Sequence, residues 1–253
     1  MLLSKKDNDT NANEIGERFQ DETKYTPEIL NGYVLDWKSI PEPFKEYKDS
    51  IAKISLPEPK TGNASLWKLL LKRRTCRDYN TQKSLKLNDL SALLWATQGL
   101  TAQFGDTFFR TAPSAGGLYP VETYLSVRAV DSLEQGIYHF RPGDFDLEFL
   151  KKGDFSQALS EASLQQAVVL GAQATLIWSA MIARGRWKYR QRAYRYIYLD
   201  AGHIAQNLYL AGEALGLGIC AIGAFYDDNV NRIVNLDGTE ETVIYMATIG
   251  VKK

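Results

Sequence analysis

Apolar positions along this chain fall into three regimes. Residues 1–23 carry six acidic and three basic side chains and almost no large apolar ones, a composition that cannot offset its ordering entropy and predicts a disordered polar tail. Residues 24–62 hold five prolines (Pro27, Pro41, Pro43, Pro57, Pro59) with scattered anchors at Tyr33, Trp37, Phe44 and Tyr47, which predicts an extended arm laid over a domain. From residue 63 to 253 the pattern is regular enough for a single domain. Leu66-Trp67 and Leu69-Leu70-Leu71 predict an amphipathic helix closed by Lys72-Arg73-Arg74. A second helix is predicted with Asn88 as cap, a core stripe of Leu90, Leu93, Leu94 and Trp95, and Gly99 as its stop.

Alternation then takes over. Thr123–Arg128 and Gly136–Phe140 read as strands, and Arg141-Pro142-Gly143-Asp144 turns the second into Phe145–Phe149. Ala174–Ile182 reads as a central strand. A long helix is predicted from near Gln191 to Leu215, with Ile204, Leu208, Ala211 and Leu215 on one face. Two last strands, Ile219–Phe225 and Thr242–Ile249, flank a short helix capped by Asp227-Asp228-Asn229. Helices and a mixed sheet interleave with no βαβ rhythm and no GxGxxG after the first strand, so the pattern disfavours a Rossmann domain.

Composition narrows the function. Thirty basic and thirty acidic residues give a net charge of zero, which argues against a global field for nucleic acid or anionic lipid. Two cysteines (Cys76, Cys220) and two histidines (His139, His203) supply no clustered metal-ligand pattern, so no metal site is expected. The polar N-terminus lacks the apolar core of a secretory signal, and the uncharged run from Gln165 to Ala183 is broken by Gln173, Thr175 and Ser179. A cytoplasmic protein without a membrane span is expected. The unusual figure is aromatic content, with fourteen tyrosines and five tryptophans.

Four segments are candidates for chemistry. Arg73-Arg74-Thr75-Cys76-Arg77 places three guanidiniums within five residues; such forks suit a phosphate, and they also suit the solvated end of a helix. Pro113-Ser114-Ala115-Gly116-Gly117-Leu118-Tyr119-Pro120 brackets two glycines with prolines, which fits a loop pressing its amides on a flat ligand and equally fits a surface turn. Arg184–Tyr196 carries six cations, no acid and interleaved aromatics. That composition allows single-stranded nucleic-acid stacking, an interfacial helix paired internally, or a site favouring a reduced, anionic cofactor. Ile222-Gly223-Ala224 ends a strand with small residues that admit a planar ring.

In this order the segments resemble the nitroreductase superfamily of FMN-dependent oxidoreductases, and most closely its SagB/ThcOx-type dehydrogenases. The likeness runs from Leu66 to Gly250 and includes Lys188-Tyr189, Asp200-Ala201-Gly202-His203 and Leu215-Gly216-Leu217-Gly218. The resemblance implies an α+β, nitroreductase-like fold, a mainly antiparallel mixed sheet wrapped by helices, in a homodimer with FMN in two clefts at the subunit interface. Carried over by position, Arg73, Arg74, Thr75 and Arg77 hold the phosphate and pyrimidine side of the flavin. Pro113, Ser114, Ala115, Gly116 and Gly117 line the ring from the partner chain, and Ile222, Gly223 and Ala224 bring amides toward its N5 and O4. Lys188 and Tyr189 match the Lys-Tyr pair of azoline-oxidising members, one of them removing a ring proton with its pKa lowered by Arg186 and Arg190. The chain closes at Val251-Lys252-Lys253, where many nitroreductases carry a longer clasping segment, so dimer contacts are expected on the helices.

The implied activity is dehydrogenation of a heterocycle, azoline to azole, or a related C–N bond, on a small-molecule or peptide-borne substrate. One alternative is an NAD(P)H-dependent nitro- or quinone reductase on the same fold, with NAD(P)H as co-substrate. A non-enzyme alternative is a nucleic-acid module using residues 184–196.

Overall fold

A computed structural model describes residues 14–59 and 62–253. In chain order the helices are α1 (Ile15–Glu22), α2 (Pro27–Leu30), α3 (Leu66–Lys72), α4 (Leu87–Gln98), α5 (Ser156–Ala162), α6 (Ala167–Gly171), α7 (Ile182–Tyr189), α8 (Ala193–Ala214) and α9 (Asp227–Val234). The strands are β1 (Ala52–Ser55), β2 (Leu100–Phe104), β3 (Thr107–Arg110), β4 (Val121–Val127), β5 (Gly136–Arg141), β6 (Asp146–Lys152), β7 (Ala174–Met181), β8 (Leu217–Ile222) and β9 (Glu241–Val251). Seven strands form one sheet in the order β1-β6-β5-β4-β7-β9-β8. Every ladder in it is antiparallel among the described residues.

Period-two alternation sends each central strand to two cores at once. On one face Leu125 of β4, Leu176 and Trp178 of β7 and Ile249 of β9 pack against Leu90, Leu93 and Leu94 of α4 and against Ile204 and Leu208 of α8. On the other, Tyr124, Ile177 and Val243 meet Leu159 of α5, Val169 of α6 and Val230 of α9. Burying each such aliphatic side chain contributes about 1.5–3 kcal/mol, so α8 is fixed along the sheet by its inner stripe. That matters because α8 carries the site.

Several local expectations are corrected. Asn88 does not cap α4; the cap position is Lys86, with no side-chain hydrogen bond. Gly99 does stop α4, at its C-cap position with an ordinary φ of −61°, and a Cβ there would enter the indole of Trp95. Asp227 likewise lies inside α9, whose cap position is Tyr226. The β2–β3 hairpin goes unpredicted by the sequence pattern. The helix expected from near Gln191 to Leu215 is α8, and the sequence pattern misses α7 before it, which ends at Arg190, whose φ of +49° and ψ of −133° leave helical space.

The polar tail is corrected too where it is described. Residues 1–13 lie outside the described part, but residues 15–22 form α1, and buried Thr23 accepts a hydrogen bond from Arg195 Nε at 2.7 Å. The Pro-rich arm is integral to the domain, because β1 pairs with β6 as the sheet's edge strand.

Between arm and sheet lies a buried polar network. His139 bridges Glu148 (2.9 Å) and Glu122 (3.2 Å), and Arg184 pairs with Glu122. The arm completes it: Tyr47 N donates to Glu148 (2.9 Å), and Arg184 Nε donates to the Glu42 carbonyl (2.8 Å). Burial works to raise the Glu122 pKa, but Arg184 and His139 outweigh it and hold the carboxyl down at about 2. Burial likewise opposes charge on His139, and the two carboxylates win, raising its pKa above the usual 6.5. The arm is thereby tied to the sheet by charged groups that cannot be left unpaired.

Candidate active site

The Arg73 segment leaves α3 and runs beside β8, where Cys76 N donates to the Ile219 carbonyl at 2.9 Å. Tyr79 anchors it, its hydroxyl bonding the Cys76 carbonyl (2.9 Å) and Thr248 Oγ1 (2.8 Å). The three arginines part ways. Arg74 turns back on the Leu71 and Arg73 carbonyls (3.3 and 2.7 Å), capping its own helix end. Arg73 sits 5.2 Å from the Tyr209 ring centroid, and Arg77 lies beside the Cys220 thiol. Asp78 is engaged elsewhere, with Lys253 at 2.6 Å.

Tyr209 of α8, which no sequence motif singles out, joins this segment to the end of β8. Its hydroxyl lies 3.2 Å from Thr75 Oγ1 and accepts a hydrogen bond from Ala221 N at 2.9 Å. Beyond Ile222 the chain leaves the sheet. The Ile222 side chain is buried in the core. A Cβ on Gly223 would meet nothing nearer than Tyr245 at 3.9 Å, and the Ala224 carbonyl accepts from Gln166 Nε2 at 3.1 Å.

The Pro113–Gly117 loop lies against the other half of α8. Asp200 accepts from Ser114 Oγ (2.5 Å) and Ala115 N (3.2 Å), and Ser114 Oγ accepts from Tyr119 N (3.0 Å). Burial raises the Asp200 pKa, and the Ser114 and Ala115 hydrogen bonds pull the other way. Gly116 and Gly117 take φ of +65° and +67°, which side chains resist. At Gly116 space demands glycine as well: a Cβ there would lie 2.5 Å from Tyr189 Oη and 3.1 Å from Lys188 Nζ.

So the structure brings Lys188 and Tyr189 to the glycine loop, at the end of α7. Lys188 Nζ is 5.6 Å from the Tyr189 ring centroid, and Tyr189 meets Tyr196 edge-on at 4.8 Å. The expected lowering of a catalytic pKa does not hold for Tyr189. Burial, Tyr196 and Asp200 raise it, and Arg190 points to Tyr33, 3.9 Å from that ring centroid. Tyr189 therefore stays a phenol at neutral pH.

Asp200 and Tyr209 are nine residues apart on α8, about 13.5 Å along its axis. Along this chain the arginine segment with the β8 end and the loop with the Lys-Tyr pair are thus two separate clusters.

Three of the six cations of the basic stretch are taken up internally. Arg184 is buried on Glu122, Arg192 donates to the Thr23 carbonyl at 3.0 Å, and Arg195 bonds Thr23 and Gln20. These contacts hold the arm and α1, which is the interfacial role.

Comparison with known proteins decides the class. The nitroreductase family pattern matches residues 70–251. This chain belongs to the nitroreductase family. It is accordingly an oxidoreductase, with a nitroreductase-like α+β fold. "Putative nitroreductase MJ1384" of Methanocaldococcus jannaschii is 36% identical over 178 residues, covering 70% of this chain and 88% of that one. The microcin B17-processing protein McbC of Escherichia coli is 28% identical over 134 residues, 51% of this chain and 49% of McbC. Among solved structures, a putative nitroreductase from Anabaena variabilis superposes with a TM-score of 0.76 at 31% identity, over 93% of this chain and 46% of that one. The chain therefore spans about half the length of two of these three. No described helix is long and apolar enough to cross a membrane.

Proposed function

We propose that this nitroreductase-family chain binds FMN and dehydrogenates an azoline-like heterocycle, carried on a small molecule or a peptide, as SagB/ThcOx-type enzymes do. The observation that carries this reading is the packing of Lys188 and Tyr189 directly on Gly116. The similarity to McbC, a microcin-processing protein, supports the peptide-borne version.

The residues present fit FMN. Arg73 and Arg77 have no carboxylate partner among the described residues, which leaves them available to a phosphate. Gly223 offers its amide at an open strand end. Arg73, Thr75 and Arg77 would hold the phosphate side, with Gly223 and Ala224 at the ring; Arg74 has the smaller part because it caps α3. When bound, FMN supplies a two-electron acceptor for hydride. The chain's own task is then to move the ring proton. Tyr189, kept protonated by burial, donates a hydrogen bond that orients the ring nitrogen. Lys188 is placed to take the proton from the ring carbon.

A second copy completes the site in this proposal. The apolar face of α3 is open in one protomer, with Trp67 78% and Leu71 76% exposed, an exposure that monomers rarely tolerate over a contiguous patch. Covering it with a partner would bring the loop half-site of one chain toward the arginine half-site of the other.

The reductase reading stays as the second one, favoured by the similarity to the nitroreductase-named MJ1384. Flavin-loaded protein should be assayed with a synthetic thiazoline peptide under oxygen, and with NADPH plus a nitroarene. Thiazole formation that Lys188→Ala abolishes supports the dehydrogenase. Nitroarene turnover with no thiazole formation assigns the chain to the reductases.

A further inference from the structure

The N-terminal arm does more than brace the sheet. Beside Lys188 and Tyr189 it encloses a cavity of about 350 Å³, within the size range of small-molecule sites, roughly 300–1,000 Å³. One wall is α2 with the turn after it, presenting Ile29, Leu30 and Tyr33; the other is Lys188, Tyr189 and Arg190. The arm wall is held in place. Pro27 opens α2, Thr26 Oγ1 accepts from Ile29 N at 3.4 Å, and Tyr33 Oη donates to the Trp187 carbonyl at 2.9 Å. Trp187 in turn donates from Nε1 to the Asp36 carbonyl at 2.9 Å. The two segments are thus stitched on both sides of the opening.

Two features indicate an occupant. Ile29 and Leu30 remain 46% and 48% exposed although the arm is folded against the domain, so the wall offers apolar surface that the chain itself leaves open. Among the described residues the charge in the wall has one sign: Lys188 and Arg190 line it and no carboxylate does. Arg190 reaches this position through a backbone conformation, φ +49° and ψ −133°, that non-glycine residues seldom hold. Such strain persists where surrounding contacts impose it and collects at ligand sites. Here it carries the guanidinium onto the Tyr33 ring, 3.9 Å from its centroid, at the cavity wall.

We propose that this cavity is a substrate subsite for an apolar group bearing an anion, of the arylcarboxylate class. It would hold the portion of the substrate next to the ring that Lys188 and Tyr189 act on, with the apolar body on Ile29 and Leu30 and the anion at Arg190. The location relative to the reaction rests on the proposed function; the binding property does not.

The probes are 2-naphthoate and 2-naphthylmethylamine, matched in shape and opposite in charge. Each is titrated calorimetrically into the full-length protein as purified, with tryptophan fluorescence, to which Trp187 contributes, as a second readout. The expected result is naphthoate binding at least tenfold tighter than the amine. Leu30→Asp should weaken naphthoate at least tenfold, with Leu30→Met within twofold of wild type. Equal affinity for the two probes, no naphthoate binding to wild type, or a Leu30→Asp variant that binds as wild type does would each overturn the subsite. The charge comparison uses wild type alone, so a poorly folding variant does not blunt it. Colourless protein with Leu30-dependent, anion-selective binding would sink the flavoenzyme reading and keep the subsite. Flavin-loaded, active enzyme with no probe selectivity would do the reverse.

Discussion

Tyr189 Oη stands where a side chain on Gly116 would have to go: a Cβ at Gly116 would lie 2.5 Å from that oxygen. The backbone there also has φ of +65°. Gly116→Ala is therefore expected to cost about 1 kcal/mol or more of stability from the left-handed backbone, and to push Tyr189 and Lys188 off their positions. The expected outcome is a heterocycle kcat at least tenfold lower with flavin content unchanged, measured on the same preparation. A variant with wild-type kcat would mean that the loop and the pair do not work together.

The Lys-Tyr pair is expected to divide its labour. Lys188→Ala should abolish proton removal, whereas Tyr189→Phe should leave reduced but measurable turnover, since only an orienting hydrogen bond is lost. Comparable losses in the two variants would shift the base elsewhere.

Asp200 holds the loop through Ser114 and Ala115, so its acceptor geometry matters more than its charge. Asp200→Asn keeps an acceptor and is expected to stay within about 1 kcal/mol of wild type. Asp200→Ala leaves a hydroxyl and an amide without a partner and should cost about 1–3 kcal/mol. Denaturant midpoints of the two variants check the order.

The network under the arm gives a pH signature. His139 has a folded pKa above its unfolded 6.5, so its contribution is full below pH 6.5 and is lost as pH rises through the folded value. Glu122 has the opposite sense: its contribution is full above the unfolded 4.5 and is lost as pH falls toward about 2. Unfolding free energy should thus decline as pH rises above 6.5 in wild type, and that slope should vanish in His139→Gln. Glu122→Gln, which deprives buried Arg184 of its carboxylate, should cost about 3–5 kcal/mol.

The parts of the fold with strong period were legible from residues alone. Leu90, Leu93 and Leu94 mark α4, and the alternation through Thr123–Phe149 and Thr242–Ile249 marks the sheet, because burial on two faces imposes those periods. What escaped has weaker signatures. No residue type signals the break at Arg190, since arginine seldom takes positive φ and tertiary contacts hold it there. Ala52–Ser55 is four residues of edge strand with no alternation of its own, and Tyr209 sits on the half-buried flank of the α8 stripe, like any structural tyrosine. The candidate site was legible as four segments. Their distribution into two clusters along α8 was not, since spacing in sequence does not show that Gly116 meets Tyr189 or that Thr75 meets Tyr209.

We propose above all that this nitroreductase-family chain is an FMN protein whose cradle begins at Arg73 and ends at Gly223. The visible absorbance spectrum of the purified protein, followed by chromatographic identification of whatever flavin heat releases, tests this most directly. The expected result is an oxidised-flavin spectrum and FMN in equimolar ratio to chain, with most of it lost in an Arg73→Ala, Arg77→Ala double variant. Colourless protein that takes up no FMN on incubation would contradict it.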